Sequence, residues 1–229
     1  MIKYFKYILK KDYKTLFSSA LLLIFLILFT CFLNKEHNNK PIFASLIIFS
    51  MGYVFFIAYR CIALLTKDLY SNEKYFTFTL PISKVGIAFG KYLYALLYII
   101  VMQISILIII FLTSYNRMMA SNVDIKNHII IPSLTFITFF ILLYSVYYVL
   151  LVTGKILLKN EKIAKAFAVT LSIVIISIII NIVTNLLFDR PYNLEVYRLA
   201  YIILTLVYTI TSIILTGISG ILLEKYLDA

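Results

Sequence analysis

The side chains able to do chemistry in this chain are few and scattered. His37 and His128 stand near Glu36 and Asp124. Imidazole and carboxylate are metal ligands, but a site needs a third and fourth ligand at fixed spacing, and none recurs here. The two histidines read as solvated loop residues, and no metal is expected. Cys31 and Cys61 fall at opposite ends of the apolar stretches described below, about 30 Å apart across a bilayer. That is far beyond the ~7 Å Cα separation a disulfide allows. Gly86-Ile-Ala-Phe-Gly90-Lys91 approaches a nucleotide-binding loop. It has three residues between the glycines where four are needed, and Tyr92 stands where Ser or Thr would hold Mg²⁺. It reads as a pair of small residues for helix packing. No paired acids, His-Glu-x-x-His or Ser–His arrangement falls within an apolar stretch, so no catalytic residue is assigned.

The other polar groups lie inside the apolar stretches. Asn181, Thr184 and Asn185 are spaced i, i+3, i+4 and share one helix face. Gln103 and Ser105 sit in another stretch, Tyr144, Tyr147 and Tyr148 in a third, and Thr205, Thr209, Ser212 and Thr216 run at helical spacing near the end. Such groups either hydrogen-bond neighbouring helices, at ~0.6 kcal/mol each, or line a path for an amphipathic substrate. Gln103, Asn181, Thr184, Asn185 and Thr209 are the candidates for that path.

The elements that must carry these residues follow from composition. Of 229 residues, 63% are hydrophobic and 14% charged, and mean hydropathy is +1.00. Soluble domains run nearer 45–50% apolar and ~25% charged. There is too little polar surface to cover a water-soluble globule, which excludes an ordinary soluble enzyme, a disordered tail and a disulfide-stapled module. The class expected is an all-α integral membrane protein. Stretches of about 20 apolar residues suffice to span a bilayer, and six are predicted: 16–33, 42–59, 92–114, 131–153, 166–188 and 199–223. None contains Asp, Glu, Lys, Arg or His.

The net charge of +11 is first a topology signal. Segments 1–15, 60–91, 154–165 and 224–229 hold 15 of the 21 Lys and Arg, and the three alternate segments hold 6. The positive-inside rule then places both termini in the cytoplasm. No basic run lies on a soluble domain, so nucleic acid is not expected as a partner. Intramembrane Asp, Glu or His, on which proton-coupled carriers depend, is missing from all six windows. That points to a conduit driven from outside the membrane.

Residues 2–16 form an amphipathic pattern. Phe5, Leu9, Ile2, Leu16 and Tyr13 share one arc, with Lys6, Lys10, Lys3, Lys14 and Lys11 beside it and Asp12 as the misfit. An interfacial helix over 1–15 is predicted, lysines toward anionic headgroups. Arg60 follows the second span and can snorkel. Segment 60–91 reads as a short helix, a break at Pro81, and a third span capped by Ser83.

The run Asp68-Leu69, Glu73, Tyr75, Thr77, Thr79-Leu80-Pro81, Ser83 and Gly90-Lys91 resembles the signature of ABC type 2 exporter permeases. Lys74 stands where that family usually has Gly, and Phe76 where it has Leu. The layout agrees along the whole chain, a single permease domain over 1–229. The resemblance implies that 60–91 holds a coupling helix seated on a separate ATPase, with Asp68, Leu69, Tyr70, Glu73 and Tyr75 as contact candidates. It implies two ATPase subunits, a second permease copy, membrane lipid and an exported amphipathic substrate as partners. The favoured cargo is a peptide of toxin or antimicrobial type. ATP and Mg²⁺ would bind the partner, with no cofactor on this chain, in a bacterial cytoplasmic membrane. The rival classes are an ion-coupled secondary transporter and a non-transporting immunity or sensor subunit.

Overall fold

A computed structural model describes residues 2–36, 52–53, 56–57, 59–66, 69–70, 82–120, 130–158, 160–188 and 194–227. Five long helices dominate: α1 (Ile2–Glu36), α2 (Lys84–Ala120), α3 (Ile131–Leu158), α4 (Glu161–Phe188) and α5 (Leu194–Leu227). Residues 59–66 add a shorter helical segment. Helix is the expected solution, because hydrocarbon offers backbone N–H and C=O groups no partner and each chain segment must satisfy its own.

Each long helix runs past the apolar window that predicted it. α2 starts eight residues before Tyr92, and α4 five residues before Ala166. Hydropathy marks where a helix can meet lipid, while caps mark where its hydrogen bonds begin. Ser83 caps α2 as predicted: its hydroxyl accepts the Gly86 N–H at 3.1 Å, and its carbonyl accepts the Ile87 N–H at 3.0 Å. Asn160 caps α4, its side-chain oxygen accepting the Lys162 N–H at 3.0 Å.

Among the described residues four helical stretches are long and apolar enough to cross a membrane: Lys84–Ile108, Ile131–Leu158, Glu161–Val183 and Tyr197–Lys225. The predicted second span, 42–59, lies mostly outside the described residues. α2 and α3 form the centre of the bundle. α1 packs on α2, α4 on α3, and α5 on both. Tyr94, Tyr98, Met102, Tyr148 and Leu151 are buried between them. α4 and α5 bury little of themselves and expose Ile173, Ile178, Leu206 and Ile214. So large an apolar surface would be a liability in water and is ordinary in hydrocarbon.

α1 joins the predicted N-terminal helix to the first predicted span. It is one uninterrupted helix of 35 residues, with no break near residue 15 between an amphipathic start and a first span. Its buried stripe is Tyr4, Ile8 and Ser19, with Asp12 and Thr15 half-buried. Ile2 and Tyr13 of the predicted apolar arc are exposed at 61% and 57%, which leaves them free to face lipid, while the neighbouring stripe packs on α2. A Cβ at Gly90 would lie 2.6 Å from Cδ1 of Tyr4; the missing side chain there makes room for that ring.

α5 comes close to α2 at Gly220, where a Cβ would lie 2.6 Å from the Cα of Val85. Backbone cannot give way as a side chain can. Gly220→Ala is therefore expected to push α5 off α2 and cost about 1–3 kcal/mol, the usual penalty of overpacking. Gly217→Ala is the control, since a Cβ there meets nothing within 4 Å. Thermal unfolding of the detergent-solubilised chain checks both, and equal midpoints for the two variants would refute the close contact.

Candidate functional site

The predicted misfit on α1 is the centre of a polar network. Asp12 Oδ1 accepts from Arg60 Nη2 at 2.9 Å and from Thr15 Oγ1 at 3.0 Å. Its other oxygen accepts the phenol of Tyr94 in a short hydrogen bond and that of Tyr98 at 3.4 Å. Arg60 and Asp12 are part-buried, with side-chain exposures of 31% and 25%. Arg60 therefore turns inward to α1 instead of snorkelling. Four groups on three elements converge on one carboxylate, tying α1, the segment 59–66 and α2 together. A lone acid among lysines and an arginine at the end of a span were the only traces in the sequence. Their pairing across 48 positions was not visible there.

A second cluster holds the start of the predicted coupling segment. Leu69 is fully buried, and its carbonyl accepts a short hydrogen bond from Lys155 Nζ near the end of α3. Two ammonium groups approach the Tyr70 ring, Lys155 at 5.1 Å and Lys165 at 5.7 Å, both in cation–π range. Lys165 also pairs with Glu161 one turn earlier on α4. Burial pushes the Tyr70 phenol up to about 12, with the Glu161 carboxylate and Tyr147 adding to it. Tyr70 thus stays a neutral ring for the two cations across the physiological range. Residues 69–70 are clamped onto the α3–α4 corner. Of the predicted ATPase contacts, Leu69 faces inward and Tyr70 is half-buried, while Asp68, Glu73 and Tyr75 lie outside the described residues.

The interior is not free of charge, contrary to the expectation from the six windows. α2 begins earlier than predicted, which brings Lys91 inside the stretch Lys84–Ile108. Lys91 is fully buried, its Nζ 5.4 Å from the centre of the Tyr148 ring. The Tyr144 hydroxyl donates to its carbonyl at 3.4 Å.

Several of the polar groups inside the spans pair between helices. On α5, Thr205 and Thr216 reach α3, through Thr135 at 2.8 Å and Ser145 at 3.2 Å. Ser212 meets Tyr92 of α2 at 3.0 Å. This stripe zips α5 to the centre of the bundle, while Thr209 donates to the Thr205 carbonyl of its own helix at 2.7 Å. Gln103 is buried on α2, and its Oε1 has no hydrogen-bond partner among the described residues. Asn181 and Asn185 are exposed on α4, the helix that also carries Thr184. Cavities open between the helices. One, of about 220 Å³, has Cys61, Met102, Phe140, Tyr144 and Ile173 in its wall. Another, of about 350 Å³, lies among Thr135, Phe139, Val183, Tyr201 and Tyr208. Gln103, Asn181, Asn185 and Thr209 are not among the described residues that line either one. His37 and His128 lie outside the described residues.

Helices long and apolar enough to cross a membrane give a general class, and comparison makes it specific. A family model described as "ABC-2 family transporter protein" matches residues 7–223, and the chain belongs to that family. No curated protein and no solved structure matches it. The chain is thus a multi-pass membrane protein and a permease subunit. Members of this family are generally non-enzymatic and normally partner with an ABC ATPase subunit.

The Asp12 network carries its own test. Removing one partner of a buried polar group leaves the other unsatisfied, at about 1–3 kcal/mol. Asp12→Asn and Arg60→Met should each lower the thermal midpoint of the solubilised chain. The double variant should lose less than the sum of the two, because the second change then removes an orphan. Strictly additive losses would show that the two side chains do not interact.

Proposed function

We propose that this chain is the permease half of an ABC exporter. It spans a bacterial cytoplasmic membrane six times with both termini inside. Two copies assemble with two ATPase subunits, which bind ATP and Mg²⁺, and together they move an amphipathic molecule outward, a peptide of toxin or antimicrobial type. Family membership supports the class and the ATPase partner. The charge-free interior, which first pointed to an external energy source, no longer supports it, since Lys91 lies in the bundle.

The observation that carries the mechanism is the clamp on residues 69–70. Closure of the ATPase dimer displaces the segment that includes Asp68, Glu73 and Tyr75. Leu69 and Tyr70, held by Lys155 and Lys165, pass that displacement to the α3–α4 corner. α3 is the central helix and is hydrogen-bonded to α5 through Thr135 and Ser145, so the corner cannot move alone. The exposed faces of α1, α4 and α5 remain for lipid and the second copy.

Vesicles containing the chain and its partner ATPase test this reading. Transport should require ATP and vanish when the ATPase carries a dead catalytic site. Transport by the chain alone, in ATP-free vesicles with an ion gradient, would establish the secondary-transporter reading instead. Glu73→Lys should weaken ATPase recovery in pull-downs while sparing membrane insertion. Lys155→Met should leave ATPase recovery intact yet slow ATP-driven transport roughly two- to thirty-fold, the effect of ~0.5–2 kcal/mol of lost coupling. Normal transport by Lys155→Met would remove the clamp from the mechanism.

A further inference from the structure

The cavity of about 220 Å³ has both buried and exposed residues in its wall. At its mouth Ile62, Val169 and Ile173 are exposed on the outside of the bundle, at 37%, 43% and 57%. In a chain whose helices cross a membrane, that outside is open to lipid. The wall is almost wholly apolar, and two of its hydroxyls are already engaged. Ser172 donates to the Ala168 carbonyl at 2.6 Å, and Tyr144 to the Lys91 carbonyl at 3.4 Å. Nothing there calls for a polar ligand. An apolar cavity of ~150 Å³ stays dry and admits a benzene-sized group, so this one takes a stretch of hydrocarbon chain.

What lies above the mouth selects the rest of the ligand. Lys162, Lys165, Val169, Ile173 and Ile176 follow one another at three- and four-residue steps on α4. Lys165 therefore stands one turn, about 6 Å of helix axis, beyond the mouth, and Lys162 nearly one turn further. Glu161 is the acid paired with Lys165, and both are substantially exposed. Exposed pairs of this kind are weak, and a phosphate can displace the carboxylate. An apolar slot one turn below two ammonium groups is the outline of an anionic amphiphile. A cationic peptide would be repelled at the same place.

We propose that this groove binds one anionic phospholipid. An acyl chain enters between α4 and the helical segment 59–66, and Lys162 and Lys165 meet the phosphate. The site rests on α4 crossing the membrane with its basic end in one leaflet, the cytoplasmic one in the topology proposed above.

The chain has no Trp, so a single introduced one reports cleanly. Phe140→Trp places it in the cavity wall, Ile176→Trp is a second reporter on the same wall, and Leu206→Trp marks an exposed face of α5. The full chain is reconstituted in phosphatidylcholine bilayers, and quenching by chain-brominated phosphatidylglycerol is compared with quenching by chain-brominated phosphatidylcholine. The wall reporters should prefer phosphatidylglycerol by roughly five-fold or more, since one lysine near an anionic surface is worth about that factor. The preference should fall toward one with Lys162→Gln and Lys165→Gln together, and Leu206→Trp should show none. Equal quenching by the two lipids at the wall, or a preference that survives loss of both lysines, overturns the proposal. Absence of quenching at both wall positions overturns it too and leaves the cavity to cargo or empty. The readout involves neither ATPase nor transport, so its failure leaves the permease reading intact, and failed transport leaves the lipid site intact.

Discussion

A single carboxylate sets the arrangement of this bundle's basic end. Asp12 projects from α1 toward two tyrosines of α2 and the guanidinium of Arg60. Inside a low-dielectric bundle an ionised group is tolerated only if it is paired and hydrogen-bonded. This one receives an opposite charge and three hydroxyl donors. The requirement acts as a registration device. α1 can slide or rotate on α2 only by uncovering the acid, so the notch at Gly90 for Tyr4 and the buried position of Ile8 are fixed together with the network.

The polar chemistry of the chain divides by position. At the basic end it consists of charges: Asp12 with Arg60, Lys155 and Lys165 around Tyr70, and Lys91 against Tyr148. Around α5 it consists of hydroxyl pairs, to α3 through Thr135 and Ser145 and to α2 through Tyr92. Each hydroxyl pair is worth little in a membrane, but it demands alignment, so α3 and α5 behave as one unit. Charges hold α1 and residues 69–70 onto that unit. This division fits the mechanism proposed above, in which force enters at one end.

Much of the fold was legible in the sequence. Long apolar runs with almost no Gly or Pro can only be helices in hydrocarbon. The N-cap at Ser83 was readable from its residue type and its place after Pro81. The family signature between Asp68 and Lys91 led to the family that the match over 7–223 shows. The site was less legible. The arc on α1 was drawn one stripe away from the buried one, because an amphipathic pattern says that a helix has a face but not which neighbour will choose it. Lys91 was placed outside the span because hydropathy windows stop at charges, whereas helices do not.

The sequence alone determined class, helix content and the bias of basic residues toward alternate segments, because those follow from local composition and from the cost of unpaired backbone in lipid. The tertiary structure decided where the polar groups went. Whether Thr205 and Thr216 face a path or a neighbouring helix, whether Asp12 meets headgroups or Arg60, and whether Leu69 faces a partner or the bundle depend on which helices lie side by side. That is a property of residues 48 to 86 positions apart, and no periodicity within one helix records it.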